Sequence, residues 1–289
     1  MNLAPVSAAE PGELLELAVR AAMEAGEMLA TGRPPGRLEV VETKSSPTDV
    51  VTEMDRASER LIIDGIRAAR PGDAFLSEEG GSVQPAEHTA VRWIIDPIDG
   101  TVNYLYGLSD WAVSIAAEQS GHVVAGVVHV PEHGELFTAT RDGGAWLRRA
   151  GDGGGDGAAV RLRCASGVPV AQALVATGFG YAAAMRADQG QVVAALLPRV
   201  RDIRRGGSCA VDLCSVAAGR VDAYYERGIN YWDRAAGGLV ATEAGAHIGG
   251  LPGEPAGSEL TIAAGSGLFT ELQQMLAALS QRQDSATAG

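Results

Sequence analysis

The sequence contains little cysteine and no long apolar segment. Its three cysteines, Cys164, Cys209 and Cys214, are an odd and sparse set without a CxxC pair, which argues against a disulfide framework or a zinc site. No apolar run is long enough to cross a bilayer, and the first residues include acids where a secretory signal would carry bases. We therefore expect a cytoplasmic protein with reduced thiols and no membrane partner.

Basic residues are also scarce. The chain has 23 lysine and arginine residues against 36 aspartate and glutamate residues, so its net charge is −13. This charge repels the phosphate backbone of nucleic acids and argues against DNA or RNA as the main partner. An acidic protein that binds a phosphate needs cations in between, and clustered carboxylates hold hard divalent cations. The composition is therefore compatible with a metal-dependent enzyme.

The spacing of apolar residues changes along the chain. Residues 7–30 and 48–69 repeat apolar side chains at helical intervals, and each segment is followed by glycine or proline. Alternation between residues 112 and 140 predicts an antiparallel meander of strands. Further along, short strands alternate with helices, the last of which is expected at 268–279.

The clearest break in composition is the glycine-rich segment at 151–159. Such a segment is typical of an exposed hairpin tip or an interdomain loop. We therefore predict an α+β domain over residues 1–150 and an α/β domain over residues 151–289.

The strongest functional signal is the segment WIIDPIDGTVNY at 93–104. An apolar strand ends here in two aspartates, Asp96 and Asp99, separated by the rigid Pro97, so both carboxylates can face one cavity. The carbonyl oxygen of Ile98 can add a further ligand, and such oxygens are what divalent cations prefer.

A helix start directly follows these aspartates. Free N–H groups at Gly100 and Thr101 would point at an anion, and a phosphate fits that position. The same pattern also occurs where an aspartate merely caps a helix, so this motif by itself leaves both interpretations open.

Two other acidic clusters favour the functional interpretation. The adjacent Glu78 and Glu79 follow a short apolar stretch and repel each other, which a cation would relieve. Glu226 lies in an expected loop, and Asp233 lies near an expected helix start. Paired surface glutamates and helix caps remain the alternatives for these residues.

Four motifs occur in the order and approximate spacing of one known family. They are KSSPTDVVTEMD at 44–55, SEE at 77–79, DPIDGTVNY at 96–104 and WDRAAG at 232–237. In these motifs the chain resembles the inositol monophosphatase family, from the first helix to about residue 264. The resemblance implies a layered αβαβα sandwich, an α+β half followed by an α/β half as in fructose-1,6-bisphosphatase, with the active site at the junction.

The resemblance also implies a Mg²⁺-dependent phosphatase with two to three Mg²⁺ ions per site. By this resemblance Glu78, Asp96 and the carbonyl of Ile98 hold the first ion. Asp96, Asp99 and Asp233 hold the second, so that Asp96 bridges the pair. Glu78 also supports a third, weaker position.

Catalytic roles follow from the same resemblance. Thr101 and Asp55 match the pair that orients or deprotonates the attacking water, Glu78 assists through the third metal position, and Lys44 lies close by. Because metal coordination lowers the pKa of water, a carboxylate can serve as the base. The implied reaction is in-line attack of water on phosphorus without a phosphoenzyme.

Substrate recognition is implied less directly. Glu226 matches the family's glutamate that accepts hydrogen bonds from ring hydroxyls, and Gly207, Ser208 and Cys209 match the short segment beside the inositol ring. Cys209 departs from the alanine usual there. The further contacts implied for the substrate are Asp99, Gly100, Thr101 and Asp233. Inositol 1-phosphate is the leading substrate, and a homodimer is expected.

Three alternatives stay open. Arg204 and Arg205 precede the substrate segment and would suit a second phosphate, as a fructose-1,6-bisphosphatase needs. A histidinol-phosphate phosphatase is the second alternative, because fold analogy cannot settle the ester. The third is a regulatory binding protein with a residual phosphatase site.

Overall fold

A computed structural model describes residues 9–33, 42–43, 50–83, 91–150 and 158–287. The helices in these ranges are α1 Pro11–Gly32, α2 Glu53–Ala69, α3 Thr101–Tyr106, α4 Ala183–Leu196, α5 Cys209–Ala217, α6 Tyr231–Glu243 and α7 Ser266–Thr287. Short 3₁₀ turns occur at Pro131–His133, Val170–Gln172 and Leu197–Arg199. None of the described helices is both long and apolar enough to cross a membrane.

The strands form two main sheets and one small pair. The strands are β1 Glu42–Thr43, β2 Val50–Val51, β3 Ala74–Ser77, β4 Gly81–Val83, β5 Val91–Asp99, β6 Ala112–Gln119, β7 His122–Val130, β8 Glu135–Thr140, β9 Gly144–Arg149, β10 Val160–Arg161, β11 Leu174–Thr177, β12 Asp202–Arg204, β13 Ala223–Glu226, β14 His247–Gly249 and β15 Thr261–Ala264. The large sheet has the order β10-β9-β8-β7-β6-β5-β3-β4, and only β3 and β5 are parallel in it. The small sheet has the order β12-β11-β13-β15-β14. The antiparallel meander predicted between residues 112 and 140 is therefore confirmed as β6, β7 and β8.

Helices and sheets alternate in five layers. Helices α1 and α2 cover one face of the large sheet, and α5 and α6 lie between the two sheets. Helices α4 and α7 cover the outer face of the small sheet. Three buried apolar clusters fill the spaces between the layers, one under each outer helix layer and one that surrounds α5 and α6 and reaches both sheets, as elements with apolar faces require. The predicted αβαβα sandwich is confirmed.

Helix α2 begins later than its apolar spacing indicated. The expected start was residue 48, but Val50–Val51 is a strand and the helix starts at Glu53. Thr52 is the N-cap, since its hydroxyl oxygen accepts hydrogen bonds from the N–H groups of Met54 and Asp55. Helix α7 in turn continues past residue 279 to Thr287. Periodicity locates a helix better than it locates its ends.

The predicted division at 151–159 stays a prediction. Residues 151–157 lie outside the described residues, and β10 at Val160–Arg161 pairs with β9 at the edge of the large sheet. The chain then continues into the small sheet with β11.

Candidate active site

One cavity of about 410 Å³ collects nearly all of the predicted site residues. Its size lies within the range of about 300–1,000 Å³ that is typical of small-molecule sites. The predicted residues that line it are Glu78, Asp96, Ile98, Asp99, Gly100, Thr101, Gly207, Cys209, Glu226 and Asp233. Asp55 and Ser208 are buried beside the cavity without lining it, and Lys44 lies outside the described residues.

Asp96 is brought into the cavity by an irregular end of β5. The register with β6 shifts between Asp96 and Asp99, and the N–H of Ile98 donates to Asp96 Oδ1 at 3.1 Å. Asp96 is only 2% exposed. Burial raises its pKa well above the usual range, and the charges of Glu78, Asp99 and Asp233 raise it further. These acidic side chains are therefore near neighbours that repel one another.

Asp99 is held by hydrogen bonds from the start of α5, in the adjacent helix layer. Its Oδ2 accepts hydrogen bonds from the Ser208 hydroxyl and the Ala210 N–H, both at 2.6 Å. Burial raises the pKa of Asp99 to about 6, although these hydrogen bonds act in the opposite direction. Ser208 thus positions a predicted ligand, and its expected role as a direct substrate contact stays a prediction.

Gly100 brings the β5 end close to the predicted substrate segment. Its φ of +93° lies in the left-handed region, and a Cβ there would meet the carbonyl oxygens of Asp110 at 3.0 Å and Gly207 at 3.3 Å. Only glycine accepts this backbone without strain or a clash. Asn103 strengthens the contact, since its amide donates to the Gly206 carbonyl at 2.9 Å.

Thr101 connects the cavity to Asp55 on α2. The Thr101 hydroxyl oxygen lies 3.0 Å from both Asp55 Oδ1 and the Ile98 carbonyl oxygen, and its one proton can be donated to only one of them at a time. Thr52 donates to Asp55 Oδ2 through its N–H at 2.8 Å and its hydroxyl at 2.6 Å. Burial raises the pKa of Asp55 despite these bonds. Asp55 therefore acts on the cavity through Thr101.

Two residues of α2 were missed by the sequence analysis. The Ser58 hydroxyl donates to the Pro97 carbonyl at 3.0 Å, and Glu59 Oε2 accepts the Glu79 N–H at 2.9 Å. Both side chains are buried. They lie three and four residues after Asp55, so they share its helix face, and that spacing was the available signal. This face of α2 supports the loops that carry both groups of predicted ligands.

The Glu226 side of the cavity contains the predicted substrate contacts. The Tyr224 hydroxyl donates to Glu226 Oε2 at 2.8 Å, and burial nevertheless raises the pKa of Glu226 to about 7. Cys209 lines the cavity beside it, and burial raises the pKa of its thiol well above the usual range.

The paired arginines separate in space. Arg205 lines the cavity, whereas Arg204 is exposed and forms an ion pair with Asp202, with 2.6 Å between Arg204 Nη1 and Asp202 Oδ2. Only one of the two guanidinium groups therefore faces the space where a substrate would bind.

The donor set fits a hard cation. Within the described ranges, no three histidine, cysteine or acidic side chains are already gathered closely enough to hold a metal ion. The carboxylates of Glu78, Asp96, Asp99 and Asp233 nevertheless line the same cavity as Ile98, and their mutual repulsion raises the pKa of Asp96. Oxygen ligands of this kind are what Mg²⁺ prefers, and its binding would offset that repulsion.

Comparison with known proteins identifies the family. The profile of the inositol monophosphatase family matches residues 10–286. The chain is 43% identical to the inositol-1-monophosphatase SuhB of Mycobacterium tuberculosis over 286 residues, which cover 94% of this chain and 95% of that protein. It is 39% identical to the Nus factor SuhB of Escherichia coli over 242 residues, which cover 83% and 86%.

Solved structures show the same architecture. The Mycobacterium tuberculosis SuhB structure has a TM-score of 0.77 and 40% identity, with 94% of this chain and 98% of that chain covered. The Thermotoga maritima IMPase structure has a TM-score of 0.80 and 30% identity, with 93% and 99% covered. The chain belongs to the inositol monophosphatase family and is a phosphoric monoester hydrolase of that family.

Proposed function

We propose that the protein is a Mg²⁺-dependent phosphatase that hydrolyses inositol 1-phosphate to inositol and phosphate. The observation that carries the proposal is the convergence of Glu78, Asp96, Asp99 and Asp233 on one cavity. Asp96 and Asp99 are buried, and like charges have no evident reason to converge around them unless a cation is bound between them. The named function of the Mycobacterium tuberculosis relative supports the choice of ester.

The ligand assignment follows the oxygens that surround the cavity. Glu78, Asp96 and the Ile98 carbonyl would hold one ion, and Asp96, Asp99 and Asp233 a second. Bound there, Mg²⁺ lowers the pKa of water and offsets negative charge on the phosphate. A third, weaker position beside Glu78 stays a prediction.

The proton of the attacking water leaves through Thr101 and Asp55. The Thr101 hydroxyl can accept a hydrogen bond from the water while donating to Asp55 at 3.0 Å. Burial raises the pKa of Asp55 and so makes its carboxylate a stronger base than an exposed aspartate. The N–H groups of Gly100 and Thr101 would hold the phosphate oxygens during in-line attack.

The substrate side favours a polyol monophosphate. Glu226 lines the cavity and accepts hydrogen bonds, which suits ring hydroxyls, and its partner Tyr224 fixes its orientation. A bisphosphate would need two cationic contacts, but Arg204 is engaged by Asp202 outside the cavity. Among the described residues, Arg205 is the one cationic side chain that lines the cavity, so the bisphosphatase alternative is less well supported.

A regulatory role is a second candidate, because a relative with 39% identity is a Nus factor. A regulatory role does not need the carboxylates, so an Asp96→Asn protein without phosphatase activity would retain that role. Cytoplasmic location and a homodimer also stay predictions.

The test is phosphate release from inositol 1-phosphate, fructose 1,6-bisphosphate and histidinol phosphate, each with and without Mg²⁺. We expect the highest kcat/KM on inositol 1-phosphate and no release without Mg²⁺. Arg205→Ala and Arg204→Ala form a matched pair for the bisphosphate, since only Arg205 lines the cavity. If the protein prefers fructose 1,6-bisphosphate, and if Arg205→Ala abolishes this preference while Arg204→Ala retains it, the bisphosphate replaces inositol 1-phosphate as the proposed substrate. No Mg²⁺-dependent release from any ester would refute the phosphatase assignment.

A further inference from the structure

The ends of β11 and β13 lie side by side where they reach the cavity. These strands are parallel neighbours, and Thr177 pairs with Tyr225 in their register. Gly178 directly follows β11, Glu226 is the last residue of β13, and both line the cavity. The Thr177 hydroxyl donates to the Tyr225 carbonyl at 2.8 Å, which holds the two strand ends together. Gly178 is therefore the neighbour of the residue that the proposed function assigns to ring hydroxyls.

The Glu226 carboxyl group lies directly on Gly178. A Cβ at Gly178 would come well under 3.0 Å from the Cδ and both carboxyl oxygens of Glu226, which is closer than non-bonded atoms approach. The carboxyl group thus occupies the space that any other residue would fill with its side chain. The φ angle of Gly178 is negative, and L-residues generally accept negative φ angles. The glycine is therefore required by its contact with Glu226 and not by its own backbone conformation.

Hydrogen bonds fix both the carboxyl group and the two strand ends. Tyr224, two residues before Glu226 on β13, donates from its hydroxyl to Glu226 Oε2 at 2.8 Å. The buried Gln189 accepts the Gly180 N–H at 2.9 Å and donates to the Arg227 carbonyl at 3.2 Å, so it joins the segments that follow the two strands. Because of these bonds, the strand ends resist the separation that a side chain placed beside Glu226 would require.

We propose that Gly178 sets the selectivity of the cavity for esters of polyols, because a glycine at this position leaves the space in which the Glu226 carboxylate is held. An acceptor fixed in one orientation favours a ring that offers hydroxyl groups over a ring that offers none. Gly178 is thus a positioning residue that acts through Glu226. This inference rests on the proposed phosphatase function, since it concerns the selectivity of the same cavity.

The test compares inositol 1-phosphate with cyclohexyl phosphate in Mg²⁺. Both are phosphates of secondary alcohols on a six-membered ring, so they differ in the ring hydroxyls that Glu226 would contact. The unmodified protein should prefer inositol 1-phosphate. Gly178→Ala should reduce the ratio of the two kcat/KM values by at least about 10-fold, since it displaces a charged hydrogen-bond acceptor. The kcat/KM for cyclohexyl phosphate should stay nearly unchanged.

Gly190→Ala is the matched control. Gly190 is exposed on α4 and outside the cavity, and a Cβ there would meet no atom within 4 Å. This substitution should therefore leave the ratio unchanged. A ratio near 1 in the unmodified protein, or an unchanged ratio in Gly178→Ala, would overturn the proposal.

A double-mutant cycle with Glu226 distinguishes positioning from a general disturbance of the fold. In Glu226→Ala the carboxyl group is absent, so adding Gly178→Ala should change the ratio no further. Any loss of folding or of melting temperature caused by Gly178→Ala should likewise be restored in the Glu226→Ala background, as measured by circular dichroism. Equal losses in both backgrounds would show that Gly178 does not act through Glu226 and would overturn the proposal.

Failure of the phosphatase assignment gives a different result, namely no hydrolysis of either ester by the unmodified protein. Calorimetry with inositol 1-phosphate then measures binding directly. Weaker binding by Gly178→Ala, together with unchanged binding by Gly190→Ala, supports the proposal. Equal binding by Gly178→Ala and the unmodified protein, or no binding by the unmodified protein, refutes it.

Discussion

On the side of the cavity formed by β5 and α2, the functional groups are buried and hydrogen-bonded to one another, whereas Tyr181 and Met185, which also line the cavity, are exposed. Asp96 is almost fully buried, and Asp55 is buried behind it with Thr101 as its contact to the cavity. Tyr181 and Met185, across the cavity, are more than one third exposed.

The two sides differ in burial because the position of the side chains must be fixed more closely on the carboxylate side. Predicted metal ligands must be placed accurately, and α2 holds the loops that carry them from behind through Ser58 and Glu59. The exposed Tyr181 and Met185 have no comparable set of buried hydrogen bonds to their side chains among the described residues. We therefore expect substitutions on the carboxylate side to change turnover more than substitutions of Tyr181 and Met185.

The largest expected effect tests the carboxylate side directly. Asp96→Asn should reduce kcat/KM by at least about 10²-fold, because it removes the charge shared by both predicted metal positions. The metal-free variant should melt at the same or a higher temperature, since burial and like charges disfavour the ionised Asp96. Phosphate release and calorimetry measure the two effects. Asp202→Asn, which changes an exposed aspartate outside the cavity, is the control and should leave turnover unchanged.

Replacement of Glu59 tests whether α2 positions the ligands. Glu59→Ala removes the acceptor of the Glu79 N–H and should weaken Mg²⁺ binding by about 10–100-fold. Glu59→Gln retains an acceptor oxygen and should recover most of the affinity. Titration calorimetry with Mg²⁺ alone measures the Mg²⁺ affinity of each variant without turnover. Equal affinity of the alanine variant and the original protein would show that the contact is only structural.

An ion-pair cluster around the buried Glu135, away from the cavity, should affect stability and leave catalysis unchanged. Glu135 is buried and accepts hydrogen bonds from Arg149 and Arg220, which lower its pKa against the effect of burial. Arg220→Ala leaves this carboxylate with fewer partners and should lower the free energy of unfolding by about 1–3 kcal/mol. Urea unfolding measures the loss. A parallel loss of kcat would contradict the separation of stability from turnover.

The smallest expected effect is a pH dependence of stability at the α1 interface. His129 packs against Gly26, its Nδ1 lies 3.1 Å from the Ala22 carbonyl oxygen, and burial lowers its pKa. As the pH falls, His129 therefore takes up a proton at a higher pH in the unfolded chain than in the folded protein. The stabilisation is present above the unfolded pKa of about 6.5 and is lost as the pH falls through the folded value.

The associated slope is at most about 1.4 kcal/mol per pH unit. Urea unfolding between pH 5 and pH 7 should show it in the original protein, and His129→Gln should flatten it. An identical slope in the two proteins would assign the pH dependence to other groups.

Most of the carboxylate side was predictable from the sequence. Asp96, Asp99 and Thr101 lie within six consecutive residues, so one turn brings them together whatever the rest of the chain does. Glu78 and Asp233 were identified through motif order, and the structure places both in the same cavity. Their roles as ligands stay predictions.

The contacts that hold these residues could not be predicted in the same way. Ser58 reaches the Pro97 carbonyl across 39 positions, and Glu59 reaches the Glu79 N–H across 20. A serine or glutamate on a helix face has no local pattern that distinguishes such a contact from a solvated surface. The hydrogen bond from Ser208 to Asp99, 109 positions away, could not be predicted for the same reason.

The sequence by itself therefore determined the family, the layered fold and the set of acidic residues. These follow from residue spacing and from the order of motifs along the chain, which can be read without any tertiary contact. Only the tertiary structure decided which side chains face the cavity. Arg205 and Arg204 are adjacent in sequence, yet only Arg205 lines the cavity, while Arg204 pairs with Asp202. Gln189 likewise joins two segments that are distant in the chain, and such long-range packing leaves no periodic signal in the sequence.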